Sequence, residues 1–381
     1  IILKLKLIMN KESIYAPFRA DIVGSFLRPQ KLKEARKACK NGDITIEQLR
    51  NAEDKFIIDL VKKQKAHGLK VITDGEFRRS YWHLDFMWGF HGVEHIELNH
   101  GYLFHGEETT KGSVRLTGKI SGEEHPFIEH FKFIKQFEEN GIIAKQTIPA
   151  PAQFLAELFR GSNTLNTLKI YPKLDDLITD IAAAYHTVIA DLYNVGCHCI
   201  QFDDCTWGMI VDDDYWKIML GKGFTLENEA NKYLRVNNMS IENKPEDLVI
   251  NTHICRGNYH STYASRGSYD PVAPYLFAKE NVNAYYLEFD DERSGNFEPL
   301  KYITNNKKAV LGLITTKSPA LENCQKIIDR IHEASQYIPL DRLYLSPQCG
   351  FASCEIGNKL TEQQQWNKID LVQSIAKKVW R

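Results

Sequence analysis

The chain has 381 residues, 43% of them hydrophobic, and its 48 Lys and Arg against 49 Asp and Glu leave a formal net charge of −1. That length holds one large α/β barrel or two ordinary domains around a substantial core. A near-neutral balance without a basic block gives no footprint for nucleic acid, and no apolar run approaches membrane-spanning length. The eight cysteines lack framework spacing, which suits reduced thiols in a cytoplasmic protein. Residues 1–8 alternate apolar and basic without a cleavage site, unlike a signal peptide. Met9-Asn10-Lys11-Glu12 reads as a more natural start. Residues 1–15 are therefore read as an extension outside the fold, and 16–381 as a single catalytic domain.

Ala20 to Phe26 predicts a first strand, and Ile44 to Gly68 a helix with Thr45 as its cap. Lys70 to Glu76 predicts a second strand with acidic groups at its end. The stretch at about 78–145, rich in Trp, His and Gly, breaks the rhythm and reads as an inserted lobe, a β-meander followed by a helix. Lys145 to Pro151, Cys197 to Asp204, Val249 to Ile254, Ala284 to Asp290, Ala309 to Thr315 and Leu343 to Cys349 complete eight strands. Helices fall between them, notably Gln153 to Arg160 and Leu174 to Val195, and Leu360 to Trp380 closes the chain. Alternation of this kind predicts a (β/α)8 TIM barrel with an inserted lobe after strand 2, an open doubly wound sheet being the alternative. Neither a G-x-G-x-x-G turn nor a Walker loop supports nucleotide binding.

In such a barrel the active face lies at the C-terminal strand ends. Ser25, Glu76, Asp203, His253, Cys255, Glu288, Lys317 and Cys349 all fall there. His253 and Cys255 share one face of a strand by alternation, half of a tetrahedral zinc site, with Glu288 and Cys349 as further candidate ligands. Two patterns are decoys. Cys197-x-Cys199 lies toward the floor of the strand that carries Asp203. His91-x-x-Glu94-His95 has the form of an inverted zinc-protease motif, but its glycines deny it the helix that motif needs.

Two thiolates, an imidazole and a carboxylate give zinc a soft environment, suited to binding a thiol and making it nucleophilic. Alkyl transfer is the natural reaction class. Glu76 and Asp203 could hold an ammonium, and the Gly24-Ser25 turn a carboxylate, which together describe an amino acid such as homocysteine.

In the order I-V-G-S-F (22–26), D-G-E (74–76), I-Q-F-D-D (200–204), H-I-C (253–255), the Glu288 strand, K-S-P (317–319) and S-P-Q-C-G (346–350), the chain resembles the catalytic half of cobalamin-independent methionine synthase, especially its short bacterial forms. The resemblance implies zinc on His253, Cys255, Glu288 and Cys349, and homocysteine on Ser25, Glu76 and Asp203. It also implies a methyltetrahydrofolate donor; another thiol, or a corrinoid-bound methyl group, is the alternative chemistry. A binding module that has lost turnover is the competing class. Two departures stand out. Lys317-Ser318-Pro319 replaces the family's H-S-P, whose histidine is thought to shuttle a proton. Asp203-Asp204 is followed by Cys205-Thr206-Trp207 where the family usually has Glu-Pro-Ala. Lys317 is read either as a solvated loop lysine before a helix capped by Ser318, or as a catalytic group that clamps charge or passes a proton. Without a second barrel, Arg78 and Arg79 are the local cations available to a folate tail.

Overall fold

Six parallel strands form the centre of the fold, seen in a computed structural model that describes residues 16–215, 223–304 and 306–380. The extension read over 1–15 lies outside the described residues. The strands run in the order Leu343–Pro347, Lys308–Ile314, Ala284–Glu288, Val249–Ile254, Cys199–Asp204 and Gln146–Pro149. A parallel sheet whose faces are both covered needs near-continuous apolar or β-branched sequence. Val249–Ile254 meets that need at four of its six positions, Asn251 and His253 being the exceptions, and all of its residues but the first are buried. Its neighbours align Asp203 with His253 on one side and Tyr286 with His253 on the other.

The helices follow from their ends. Thr45 caps Ile46–Ala66 in a capping box with Gln48, and Thr361 does the same with Gln364 for Glu362–Val379. Asp175 and Asp176 lie in the first turn of Leu174–Asn194, where they complement the helix dipole. Pro151 opens Pro151–Leu158 at its first position, two residues before the predicted start. No described helix is long and apolar enough to cross a membrane, and all eight cysteines are free thiols.

Two predicted strands are largely replaced by other structure. Ala20 to Phe26 keeps a single parallel bridge, Ala20 to Leu345. Asp21 accepts from the Phe18 and Ile22 backbone N–H groups, satisfying donors that a ladder would otherwise take. A buried ion pair to Lys145, at 3.3 Å, ties this segment to the sheet. The second strand shrinks to Val71–Ile72, paired in parallel with Ile143–Ala144. It stops because Gly75 and Glu76 both take positive φ, 66° and 60°. The Asp74 carboxylate accepts from the Glu76 N–H at 2.9 Å, and Phe77 N–H returns to the Asp74 carbonyl. A Cβ on Gly75 would sit 2.3 Å from Leu60, so only glycine fits there. Asp74 thus builds a turn instead of pairing with Glu76 on a strand face.

Between 78 and 145 the chain forms an antiparallel pair, His91–Glu97 with Gly112–Ser121, a short hairpin Leu103–Phe104 with Glu107–Glu108, and the helix Phe127–Lys135.

Candidate metal and substrate site

His253, Cys255, Glu288 and Cys349 converge at the C-terminal edge of the sheet, with one ligand atom from each within 4.8 Å of all the others and all four buried. They arrive from three strands. His253 lies in Val249–Ile254 with Cys255 just beyond it, Glu288 ends Ala284–Glu288, and Cys349 follows Leu343–Pro347 by two residues. Metal–sulfur bonds of about 2.3 Å at tetrahedral angles span an edge of roughly 3.8 Å. The Cys255 and Cys349 sulfurs stand 3.8 Å apart.

His253 Nδ1 faces the Tyr286 carbonyl at 3.3 Å, while its Nε2 is buried without a hydrogen-bond partner. That carbonyl favours a proton on Nδ1 and leaves Nε2 as an acceptor, the state a metal requires. Glu288 Oε1 accepts from the Arg256 N–H at 2.8 Å, and Oε2 from Arg293 at 2.9 Å. Burial would push this carboxyl up, but Lys317, Arg293 and His253 outweigh it and hold its pKa down at about 2. Both thiols, by contrast, are driven well above the ordinary cysteine range. For Cys255 the leading cause is its hydrogen bond with Cys205, and for Cys349 its hydrogen bond with Cys255, with burial adding to each. Two neutral thiols, a free imidazole nitrogen and a fixed carboxylate fit zinc, which would take the thiols as thiolates.

A cavity of about 670 Å³ opens beside the cluster, with Ser25, Glu76, Asp203, His253, Cys255 and Cys349 on its wall. Glu76 Oε1 accepts from Thr147 at 3.0 Å and pairs with Arg79 at 3.4 Å, while Oε2 is buried without a partner. Asp203 accepts from Gln201 at 2.8 Å. Burial lifts the Glu76 carboxyl to about 7, with Asp203 adding to the lift and Arg79 opposing it. Burial likewise lifts Asp203 to about 7, against its bond from Gln201. Two buried carboxyl groups on one cavity, one of them with an unused acceptor, could serve a cation there. Ser25 Oγ accepts from the Ala352 N–H at 3.3 Å, which leaves its own proton free to donate.

Lys317 points inward. Its side chain is only 10% exposed, with Nζ 3.8 Å from Glu288 Oε2 and no hydrogen-bond partner. The solvated-lysine expectation is therefore corrected, and so is its cap, since the next helix begins at Cys324 with Asn323 as its N-cap. Thr315 N–H donates to Glu322 and Asn358 donates to the Thr316 carbonyl, which pins the loop against solvent. The reading of Arg78 and Arg79 as free cations also fails. Arg78 pairs with Glu53 and Asp54, and Arg79 is buried against Glu76 and Thr147. Among the described residues, the arginine and lysine side chains on the cavity wall are Arg160 and Lys232, paired with Glu157 and Glu229.

The decoys separate from the site. His91 and His95 are exposed on a strand, where four residues span about 13 Å, too far to share one ion. Cys197 and Cys199 are buried in the core, outside the cluster. Sequence reading missed the groups that hold the carboxylates, Arg79, Thr147 and Gln201, and the aromatic wall of Tyr81, Trp82, Tyr102 and Phe104. Only the Trp- and His-rich composition of 78–145 signalled that wall.

Residues 142–371 match the family model described as the catalytic domain of cobalamin-independent synthase. An uncharacterized Bacillus subtilis protein, YxjH, is 42% identical over 367 residues, 96% of either chain. A methionine synthase of Saccharolobus solfataricus is 25% identical over 337 residues, 86% of either chain. The crystal structure of a Listeria monocytogenes protein described as a candidate vitamin-B12-independent methionine synthase superimposes with a TM-score of 0.76 at 39% identity, covering 96% of this chain and 99% of that one.

Proposed function

From the premise that the chain belongs to the cobalamin-independent methionine synthase family, and so is a methyltransferase, we propose that it moves a methyl group from a methyltetrahydrofolate to the thiol of homocysteine, giving methionine. We read the chain as one (β/α)8 barrel over 16–381, with an insertion at about 78–145. The observation that carries the reading is the His253, Cys255, Glu288 and Cys349 cluster facing Glu76 and Asp203 across one cavity. A corrinoid donor loses its ground, because the family works without cobalamin.

In this reading the four clustered residues hold zinc, which when bound keeps a substrate thiol deprotonated at neutral pH. Glu76 and Asp203 take the ammonium of homocysteine between them, and the Ser25 hydroxyl donates to its carboxylate. The sulfur is then oriented from the opposite end of the same molecule, which confines attack to one direction. The aromatic side of the cavity, with Trp82, Tyr102 and Phe104, excludes water and offers faces for a planar donor. The test supplies homocysteine with methyltetrahydrofolate, mono- and polyglutamylated, to zinc-loaded protein. Methionine should form. Turnover with a different thiol but none with homocysteine would overturn the acceptor, and no transfer from any donor would favour a binding module.

Glu76→Gln or Asp203→Asn should weaken homocysteine by about 1.5–3 kcal/mol each, the scale of a lost charge-assisted bond. The pH dependence has a definite sign. The amine binds the ionised carboxylates, and both sit at about 7 in the free protein. Affinity should therefore fall as pH drops through about 7, while the folded chain, holding protons its unfolded form has released, loses stability as pH rises toward the same value. Calorimetric titrations that run flat from pH 6 to 8 in the parent would move the amine elsewhere.

A further inference from the structure

The strand Cys199–Asp204 pairs with Val249–Ile254 so that Asp203 lies opposite His253 and Asp204 opposite Ile254. The Cys255 N–H donates to the Asp204 carbonyl at 3.0 Å. The alignment thus continues by one residue past the strand ends and sets Cys205 beside Cys255. Neighbouring chains paired in this way stand about 5 Å apart, inside the Cα separation of roughly 4.4–6.8 Å that a disulfide spans. The side chains feel that proximity, each thiol influencing the ionisation of the other. Gln153 accepts from the Cys205 N–H at 3.3 Å and fixes the backbone there.

Cys205 differs from the other two thiols at this edge of the sheet. All three line the cavity, but Cys205 stands outside the four-residue cluster and is only partly buried, whereas Cys255 and Cys349 are buried within it. A small oxidant entering the cavity can reach this partly buried sulfur, which no metal would hold, while the other two are committed to the cluster. We propose that Cys205 is an oxidation site whose product is a disulfide with Cys255, so that a hydroperoxide removes one metal ligand and the metal leaves.

The step balances. The Cys205 sulfur attacks the peroxide oxygen, the O–O bond breaks, and the thiol proton leaves with the departing oxygen as water (or as an alcohol from an organic hydroperoxide). Cys255 then attacks the sulfenic sulfur, the S–O bond breaks, and the departing hydroxide leaves as water, taking the Cys255 thiol proton in metal-free protein or a solvent proton where a metal would hold Cys255 as thiolate. Both sulfurs are oxidised and the peroxide oxygens reduced. Release of metal rests on the metal reading given under Proposed function; formation of the disulfide does not.

Full-length zinc-loaded protein treated with equimolar hydrogen peroxide should lose two hydrogen atoms by intact mass. It should yield a linked Cys205–Cys255 peptide on digestion without reductant, and pass zinc to a chromogenic chelator at the same rate. Dithiothreitol should restore the mass. Cys205→Ala, with the near-isosteric Cys205→Ser as a second variant, should slow zinc release at least about tenfold. A linked peptide joining Cys255 to Cys349, or release from both variants at the parent rate, overturns the proposal. The Cys205–Cys255 link formed in protein that never takes up zinc would uphold the oxidation site and refute the metal reading.

Discussion

Cys255→Ser and Cys349→Ser proteins should each emerge from purification with most of their zinc gone and their fold kept. A serine hydroxyl at either position is a hard, protonated donor where the cluster supplies a soft thiolate, so the substitution removes both a charge and a strong bond. Changes to groups that merely support a metal ligand cost roughly 10–100-fold in affinity, and loss of a ligand should exceed that. The fold should survive because both residues lie just beyond strand ends, on a sheet held by backbone ladders and by a hydrophobic core cluster that includes neither of them. A small-for-small buried swap of this kind costs on the order of 1 kcal/mol. The variants should therefore melt cooperatively near the parent stripped of metal, and fail only in elemental analysis. One zinc per chain in both variants would mean that these sulfurs do not hold the ion.

The same cluster explains what could be read from sequence and what could not. His253 and Cys255 were legible as a pair because side-chain alternation on a strand is rigid. Glu288 and Cys349 were legible as their companions because parallel strands deliver their C-terminal ends to one edge. Those arguments need only strand identity, and a buried run such as Val249–Ile254 declares itself. Glu76 was assigned to the right neighbourhood for a different reason from the one that holds. Its position comes from two consecutive left-handed residues and an Asp74 side chain folded back onto the backbone, which no periodicity reveals. Arg79 was misread because a charged residue after a turn looks solvated. Its burial depends on Thr147 and Glu76 being already in place to receive it. The aromatic wall from 81 to 104 was signalled by composition alone for a similar reason: it belongs to a segment whose pairing partners lie up to about thirty residues away (His91 with Ser121), so local pattern does not position it.

Lys317→Ala should lower methyl transfer strongly while zinc content and homocysteine binding stay close to the parent. The inward course of this side chain sets the expectation. Nζ is 3.8 Å from Glu288 Oε2, buried, and without a hydrogen-bond partner, so an ammonium is held against the cluster by charge alone. A cation beside a carboxylate ligand and two thiolates can act in two ways. As a fixed charge it offsets the negative charge that collects on the sulfurs, and it should be worth about 1.5–3 kcal/mol, the range for a charged contact removed from a buried site. As a proton carrier it would take over the task of the histidine that the family usually places here, and its loss should slow turnover by about 10²–10⁴-fold. Lys317→Arg separates the two roles. Arginine keeps the charge and cannot give up its proton, so a fixed charge predicts partial recovery over alanine and a carrier predicts none. Lys317→His then completes the test, because a carrier role predicts recovery by histidine with a pH–rate profile displaced toward the imidazole range. If Lys317→Ala turns over at the parent rate, neither role holds, and the proton moves by a route that does not pass this residue.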